Sequence, residues 1–518
     1  MKIRILSTSD VHGYLLPTDF KNSTQETGFG YLKAASVIDN VRNNADNDEI
    51  VIYIENGDFI QGSPLTDFIY RTHQDKHLNA LFSNLANSLH PDAAVLGNHE
   101  FNYGIDYIAD SWKTRDFPIL AANISGDDVH KISDGPYTII DRKGVKIAIL
   151  GLTTQFVPNW EDRDNLGDLQ FTSALAVAKH YVQLLKKEAD VVIVAYHGGF
   201  NSDLETGELI ENANGENEGY QILQEVPEID ALVTGHQHRE IAAKVNYIPT
   251  TQPGYRGKDV GEITLNLNQY NHVDSSSARL ITSGDFPIDE RLKNMIETTQ
   301  QSVESWLDQP VATIQGDCLI HNPMNARLFG NGFLDLINRI QMDYTGVDIT
   351  ATTLFNDDIP GFNNSVSVRD VLNSYIFPNT LAIEEVSGSD LKAALERCAS
   401  FFALEDNKVT VAKEFREPKI QYFNYDYYSG IDYTFDLTKP VGQRVVELQY
   451  QDKAVSSTQK LKICLNQYRS VGAGDYDMYS RQKIINLFED DMPKIIIDYL
   501  HSHQDIYVTQ PNNLKIIK

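Results

Sequence analysis

Basic side chains are in short supply: 44 Lys and Arg stand against 72 Asp and Glu, a formal net charge of -28 at pH 7. Such an acidic chain does not grip long nucleic acid by neutralising phosphates, so that class of function is excluded. Small anionic ligands stay compatible, because metal ions and local dipoles hold them even on an acidic molecule. Cysteine is scarcer still. Cys318, Cys398 and Cys464 are odd in number and widely spaced, which suggests buried free thiols rather than a disulfide framework or a Cys-ligated zinc. Long apolar runs are missing as well, since none approaches the roughly 18 residues that suggest a membrane-spanning helix, and no membrane partner is expected. Met1-Lys2-Ile3-Arg4 already reads as strand, with no basic, apolar and cleavable leader, so the expectation is a cytoplasmic protein.

What is present is a repeated construction. Ala93-Ala94-Val95-Leu96 is too short and apolar to favour a helix and runs into Gly97-Asn98-His99-Glu100, where Gly97 is expected to turn the chain sharply. Ile3 to Leu6 leads likewise into Ser9-Asp10-Val11-His12-Gly13, and Ile50 to Ile54 into Glu55-Asn56-Gly57-Asp58. Val191 to Ala195 leads into Tyr196-His197-Gly198-Gly199, and Ala231 to Thr234 into Gly235-His236-Gln237-His238. Five strands therefore end in Asp, Asn or His beside Gly. If they leave one edge of one sheet, their ends converge in a single crevice.

At 518 residues the chain is long for one core, and two domains are expected. The first half alternates strands with candidate helices at Tyr31 to Arg42, Pro64 to Tyr70, Ala174 to Glu188 and Glu218 to Gln224, an α/β layered pattern. Asn201 to Gly219 reads as a loop near the site with solvated charges. Ile288 to Leu307 has apolar residues at Leu292, Met295, Ile296, Val303 and Trp306, which suits an amphipathic connecting helix ending at Pro310. Helices and strands then resume, including a helix at Leu391 to Phe402 and a strand at Leu461 to Leu465.

Asp10 and His12 stand two apart, as do His236 and His238, so an extended backbone would turn each pair to one side. Carboxylate, imidazole and Asn carbonyl without Cys suit Mn, Zn, Fe or Co. Seven such ligands, Asp10, His12, Asp58, Asn98, His197, His236 and His238, are too many for one small ion. Two divalent ions about 3.5 to 4 Å apart, sharing a carboxylate, would clamp a phosphoryl group and acidify a water between them. Phosphoester hydrolysis follows.

Asp10-x-His12, Gly57-Asp58, Gly97-Asn98-His99-Glu100, His197 and Gly235-His236-Gln237-His238 resemble the calcineurin-like metallophosphoesterases in order and spacing. With a distinct second half, the whole chain resembles the 5′-nucleotidase family. That resemblance implies an α/β fold, a layered metallophosphoesterase β-sandwich flanked by helices, with a second α+β domain joined by a linker helix. The divisions are 1–287, the linker 288–310 and a nucleotide-binding domain at 311–518. It also implies that Asp10, His12, Asp58 and His238 hold one metal and Asp58, Asn98, His197 and His236 the other, with Asp58 as bridge. His99 would contact the phosphate or leaving oxygen, as electrostatic stabiliser and general acid, or else orient a ligand.

One departure points to a branch of the family. Where typical 5′-nucleotidases place an Asp against the histidine, this chain has Asn102, and an amide does not favour a charged imidazole as a carboxylate does. Gly97 to Gly104, and Glu218-Gly219-Tyr220 through Ala231, are instead similar to the 2′,3′-cyclic-nucleotide 2′-phosphodiesterase and 3′-nucleotidase branch. No Gly-rich segment with paired arginines is evident around Thr350 to Arg369, which also disfavours 5′-monophosphates. Tyr422 to Asp426 and Asn466 to Arg469 are similar to the family segments that sandwich a base, which points to Phe423 and Tyr468, with Tyr425 as competitor, Asp475 as polar contact and Asn379 in a further matching segment. The partner is then a small nucleotide. The alternatives are a 5′-nucleotidase or UDP-sugar hydrolase and, less favoured with every ligand position filled, a non-enzymatic nucleotide-binding protein.

Overall fold

A computed structural model describes residues 1–21, 26–72, 76–159, 161, 163–210, 213–377, 379–405, 408–417, 420–488, 490–503 and 505–518. It divides into two compact units, Met1–Ser305 and Trp306–Lys518. The connecting helix runs Glu290–Leu307, and the division falls in its last turn. Leu292, Ile296 and Val303 are buried along it, at the four- and seven-residue spacing that keeps them on one face, whereas Met295 is exposed.

The first unit is built on two six-stranded sheets. One has the order Val273–Thr282, Asp259–Leu267, Lys2–Thr8, Glu49–Glu55, Ala93–Val95 and Ile119–Leu120. The other has Glu240–Val245, Ile248–Pro253, Ala231–Thr234, Val191–His197, Val145–Thr153 and Tyr137–Arg142. Ile3, Ile5, Ile52 and Ile54 of the first pack into one buried cluster with Ile147, Ile149, Val191 and Ile193 of the second. Full burial of each such side chain is worth about 1.5–3 kcal/mol. The intervening residues of the second sheet, Leu150, Val192, Val194 and Tyr196, point the other way, against Ala178 and Val182 of the helix Ala174–Leu185 and Ile222 and Leu223 of the helix Gly219–Glu225. Strands covered on both faces read as continuous apolar runs, as these do. The architecture is a mixed α/β sandwich flanked by helices, with a separate second unit.

The five strand ends do not leave a single sheet. Lys2–Thr8, Glu49–Glu55 and Ala93–Val95 belong to the first sheet, and Val191–His197 and Ala231–Thr234 to the second. Their loops meet because the two sheets are packed face to face.

The second unit centres on a five-stranded sheet ordered Asp426–Ser429, Ile349–Thr353, Lys460–Asn466, Leu381–Ser387 and Ile484–Leu487. The expected helix at Leu391 starts earlier, spanning Gly388–Ser400, because Ser387 and Asp390 form a reciprocal capping box. Cys318, Cys398 and Cys464 are free and buried. Among the described residues no helix is long and apolar enough to cross a membrane.

Candidate active site

The site's backbone is unusual before its side chains are considered. Asp10, His12, Asp58, His236 and His238 all have left-handed φ, between 51° and 73°, a conformation costing L-residues roughly 1–2 kcal/mol each. The pairs two apart are therefore not on extended chain as anticipated; tight coils after each strand turn them inward. Backbone bonds from Asp10 N–H to Gly57 O (2.9 Å) and His12 N–H to Asp58 O (2.7 Å) hold the coils, and the His236 N–H donates to the Asp10 carboxylate at 3.0 Å. Such strain persists where surrounding contacts over-determine it. Gly97 is not left-handed, so its role is close approach: a methyl there would collide with the Asp58 carboxylate.

Glu100 ties two of these loops together. Its buried carboxylate accepts the N–H groups of Asp58 (2.7 Å), Phe59 (2.6 Å) and Gly97 (2.6 Å). Burial, then the neighbouring Asp58 charge, push its pKa up, and the backbone donors oppose them. The motif containing Glu100 was legible, but this clamping was not.

The expected ligands come together in two overlapping groups. The donor atoms of Asp10, His12 and His238 lie within 4.8 Å of one another, and so do those of Asp10, Asp58 and His197. Asp10 is common to both groups, while Asp58 Oδ2 lies 3.8 Å from His12 Nε2. Asn98 Oδ1 is 2.8 Å from His236 Nδ1 and 3.3 Å from His197 Nε2, which adds the remaining two.

The chemistry of this set fits cations. His12 Nδ1–H donates to the Gln61 carbonyl at 2.9 Å, leaving its Nε2 facing His238 Nε2 at 3.0 Å. His197 Nδ1–H donates to the Asn56 carbonyl at 2.6 Å, leaving its Nε2 3.2 Å from Asp58 Oδ2. Asp58 Oδ2 is buried with imidazole nitrogens of His197 and His12 beside it. Lone pairs gathered in this way repel unless positive charge lies among them. Burial disfavours charge on His197, but Asp58 and Asp10 outweigh it and raise its pKa to about 10, so a proton is favoured there. Burial raises Asp10 to about 6 and lowers His12 to about 4. Divalent metal ions would displace that proton.

His99 lies at the rim of this cluster. Its backbone N–H donates to Asp58 Oδ1 at 2.8 Å, its ring stands 5.1 Å from that of His12, and its Nδ1 meets Asn102 Oδ1 at 2.7 Å. Asn102 in turn donates from Nδ2 to Glu161 at 2.7 Å. Sequence reasoning missed Glu161, which is distant in the chain and belongs to no motif. It also missed Glu216, whose Oε1 is 3.3 Å from His236 Nε2. Glu216 lies in the 201–219 loop read as solvated, of which residues 211–212 fall outside the described residues. A carboxylate on the far nitrogen of a metal-binding imidazole fixes its tautomer.

In the second unit the rings of Phe423 and Tyr468 approach edge to face, 6.3 Å apart at 77°. Stacking a base between them requires the planes to become parallel, and half-exposed Tyr468 has room to rotate. Tyr425 does not join them. It is 1% exposed, its hydroxyl donates to the Arg327 carbonyl at 2.6 Å, and its ring packs on Phe401 and Phe402, so it is a core residue. Asp475 is largely exposed and accepts from Arg397 at 2.9 Å. Asn379 is half-buried, with its backbone carbonyl accepting the Met492 N–H at 2.9 Å; the preceding residue, Pro378, lies outside the described residues. Arg469, not anticipated, organises this region: its buried guanidinium binds Asp426 at 2.7 Å and the Phe423 carbonyl at 2.9 Å.

Residues 3–240 match the calcineurin-like phosphoesterase model, and residues 311–481 match the 5′-nucleotidase C-terminal domain. A Staphylococcus aureus structure described as a candidate 5′-nucleotidase, in complex with α-ketoglutarate, is 36% identical, with all of both chains covered and a TM-score of 0.76. A 2′,3′-cyclic-nucleotide 2′-phosphodiesterase/3′-nucleotidase of Haemophilus influenzae is 26% identical over 96% of this chain and 84% of its own. The trifunctional nucleotide phosphoesterase YfkN of Bacillus subtilis is 25% identical over 99% of this chain, which spans only 39% of that protein. Joined to a cluster of buried oxygen and nitrogen ligands suited to divalent metals, these matches place the chain in the 5′-nucleotidase family, as a hydrolase with a calcineurin-like phosphoesterase domain and a 5′-nucleotidase C-terminal domain.

Proposed function

We propose that the protein is a two-metal phosphohydrolase of nucleotides that prefers 2′,3′-cyclic nucleotides and then 3′-nucleotides. The observation that carries this choice is the amide of Asn102, rather than a carboxylate, on Nδ1 of His99. The Haemophilus influenzae relative's stated activity supports the same branch. Asp10, His12, Asp58 and His238 would hold one ion, and Asp58, Asn98, His197 and His236 the other, with Mn, Zn, Fe or Co all suited to these donors. When bound, the ions polarise phosphoryl oxygens and make water acidic enough to attack near neutral pH.

The chain's own residues do the rest. His99, anchored through Nδ1, presents Nε2 to the phosphoryl oxygens and to the ribose alkoxide that leaves. A 2′,3′-cyclic phosphate is a strained diester, so its opening asks less of that histidine than cleavage of a 5′-monoester. Phe423 and Tyr468 supply stacking surface for the base, and Asp475 and Asn379 supply polar contacts.

The second reading, a 5′-nucleotidase or UDP-sugar hydrolase, is favoured by the similarity to the Staphylococcus aureus structure. Purified protein loaded with Mn separates the two when assayed on 2′,3′-cyclic AMP, 3′-AMP, 5′-AMP and UDP-glucose. The proposal expects kcat/KM for the cyclic substrate to exceed that for 5′-AMP by at least about tenfold, or roughly 1.4 kcal/mol of transition-state binding. A preference for 5′-AMP or UDP-glucose would transfer the assignment to the second reading.

A further inference from the structure

We propose that Glu161 is a positioning residue that fixes the Asn102 amide and, through it, the tautomer of His99. This rests on the reading that His99 acts at the phosphoryl group. Glu161 is 8% exposed, and both of its oxygens face amide nitrogens. Oε2 accepts from Asn102 Nδ2 at 2.7 Å, and Oε1 accepts from Asn165 Nδ2 at 2.7 Å. The Asn165 amide also donates to the backbone carbonyl of Asn102 at 3.1 Å, which ties the three residues together.

An ionised carboxylate only accepts hydrogen bonds. Asn102 must therefore turn its NH2 toward Glu161 and its Oδ1 toward His99. The opposite orientation would set a carbonyl oxygen against a carboxylate and an amide N–H against His99 Nδ1. Which end of an amide is oxygen is ordinarily a matter of inference from the hydrogen-bond network; here the carboxylate on one side of Asn102 and the imidazole on the other set it. Because Oδ1 also only accepts, the hydrogen between His99 and Asn102 belongs to Nδ1. Nε2, on the other side of the ring, is left as the working nitrogen. Donation from Nδ2 to a carboxylate also polarises the amide and makes Oδ1 a stronger acceptor. Glu161, 59 positions from Asn102, thus places a carboxylate behind the amide, where it orients the imidazole without touching it.

Two measurements test this. In zinc-loaded protein labelled with 15N-histidine, with the His99 signals assigned by their loss in His99→Gln, the wild type should show a protonated Nδ1. In Glu161→Ala, both tautomers should appear. On bis(p-nitrophenyl) phosphate, Glu161→Ala should lower kcat about tenfold with KM changed less than about twofold and two ions per chain retained. Asn102→Asp alone sets two carboxylates together and should be worse. The double variant Asn102→Asp/Glu161→Gln rebuilds the bonds that join His99, position 102, position 161 and Asn165, since the aspartate accepts from His99 and from the glutamine amide, whose oxygen still accepts from Asn165. It should recover kcat to within about threefold of wild type.

An unchanged tautomer in Glu161→Ala, or a double variant no better than Asn102→Asp, would overturn the proposal. If Glu161→Ala does not fold, the comparison of the double variant with Asn102→Asp decides alone. Failure of the wild type to hydrolyse any phosphoester would instead defeat the functional reading, and the tautomer measurement would still judge Glu161.

Discussion

Asp58 holds His99 from behind: its Oδ1 accepts the His99 backbone N–H at 2.8 Å, while its other oxygen lies buried 3.2 Å from His197 Nε2. One carboxylate thus links the candidate metal ligands to the residue assigned to the phosphoryl group. In Asp58→Asn the new NH2 must face either the His99 N–H or the ligand cluster, and both orientations are unfavourable. The variant should bind fewer than two ions and lose at least about 100-fold in kcat/KM, the upper end of what disturbing a ligand's partner costs. His238, more exposed than the other candidate ligands, should tolerate substitution better. Metal analysis finding two ions and wild-type turnover in Asp58→Asn would rule out the bridge.

Metal removal should also weaken the first unit. Asp10, Asp58, His12 and His197 are buried together with their donor atoms facing one another, an arrangement that positive charge relieves. Free metal at 100 times its Kd stabilises a folded site by about 2.7 kcal/mol. Calorimetry with and without chelator should therefore show a lower transition temperature for the stripped protein, and identical transitions would count against a built metal site.

The candidate ligand residues stand out in the sequence because each follows a short apolar strand and carries a side chain of metal-binding type. Their conformation was not. The i, i+2 spacing of Asp10 and His12 suggested extended chain, but left-handed φ at both positions is set by hydrogen bonds to Gly57 and Asp58 some 47 residues away. Glu161 and Glu216 escaped for a related reason: an acidic residue in a polar loop carries no local sign that folding brings it to Asn102 or His236. Tyr425 shows the converse, since aromatic residues in one short segment read alike until burial separates Tyr425 from Phe423.

That separation is testable. Tyr468→Ala should remove stacking worth about 1–3 kcal/mol, raising KM for nucleotides about 5- to 150-fold. Hydrolysis of bis(p-nitrophenyl) phosphate, which lacks a base, should be nearly unchanged. Tyr425→Ala should instead destabilise the second unit by about 3–5 kcal/mol, as loss of a buried aromatic ring does. Equal losses on both substrates in Tyr468→Ala would mark that residue as structural.

Glu384 gives the second unit a pH dependence. It is fully buried, its Oε2 has no hydrogen-bond partner, and burial raises its pKa to about 7 against the opposing Ser480 N–H and Lys483. Between the ordinary value of 4.5 and about 7 the folded chain holds a proton that the unfolded chain has released. The contribution of this group to stability is therefore present in full below 4.5 and is lost as pH rises through about 7. In urea, Glu384→Gln should flatten the decline in midpoint between pH 5 and pH 8. An equally steep decline in the variant would show that other groups cause it.

The order of products distinguishes the proposed activity most directly. Opening 2′,3′-cyclic AMP at the 2′ oxygen leaves 3′-AMP, which would rebind with its phosphate toward the candidate metal ligands before a second hydrolysis frees adenosine. The two steps present different groups to His99: a strained diester with a ribose alkoxide leaving, then a dianionic monoester that is harder to attack. The first step should be faster, so at saturating cyclic substrate 3′-AMP should build up and then decline as adenosine appears. His99→Gln should slow both steps by about 10²- to 10⁴-fold, the usual contribution of a positioned proton donor. Glu161→Ala should slow both by the smaller factor expected of a residue acting through Asn102. Accumulation of 2′-AMP, or adenosine appearing without a 3′-AMP phase even when unlabelled 3′-AMP is added as a trap, would show that the ester bonds are broken in a different order.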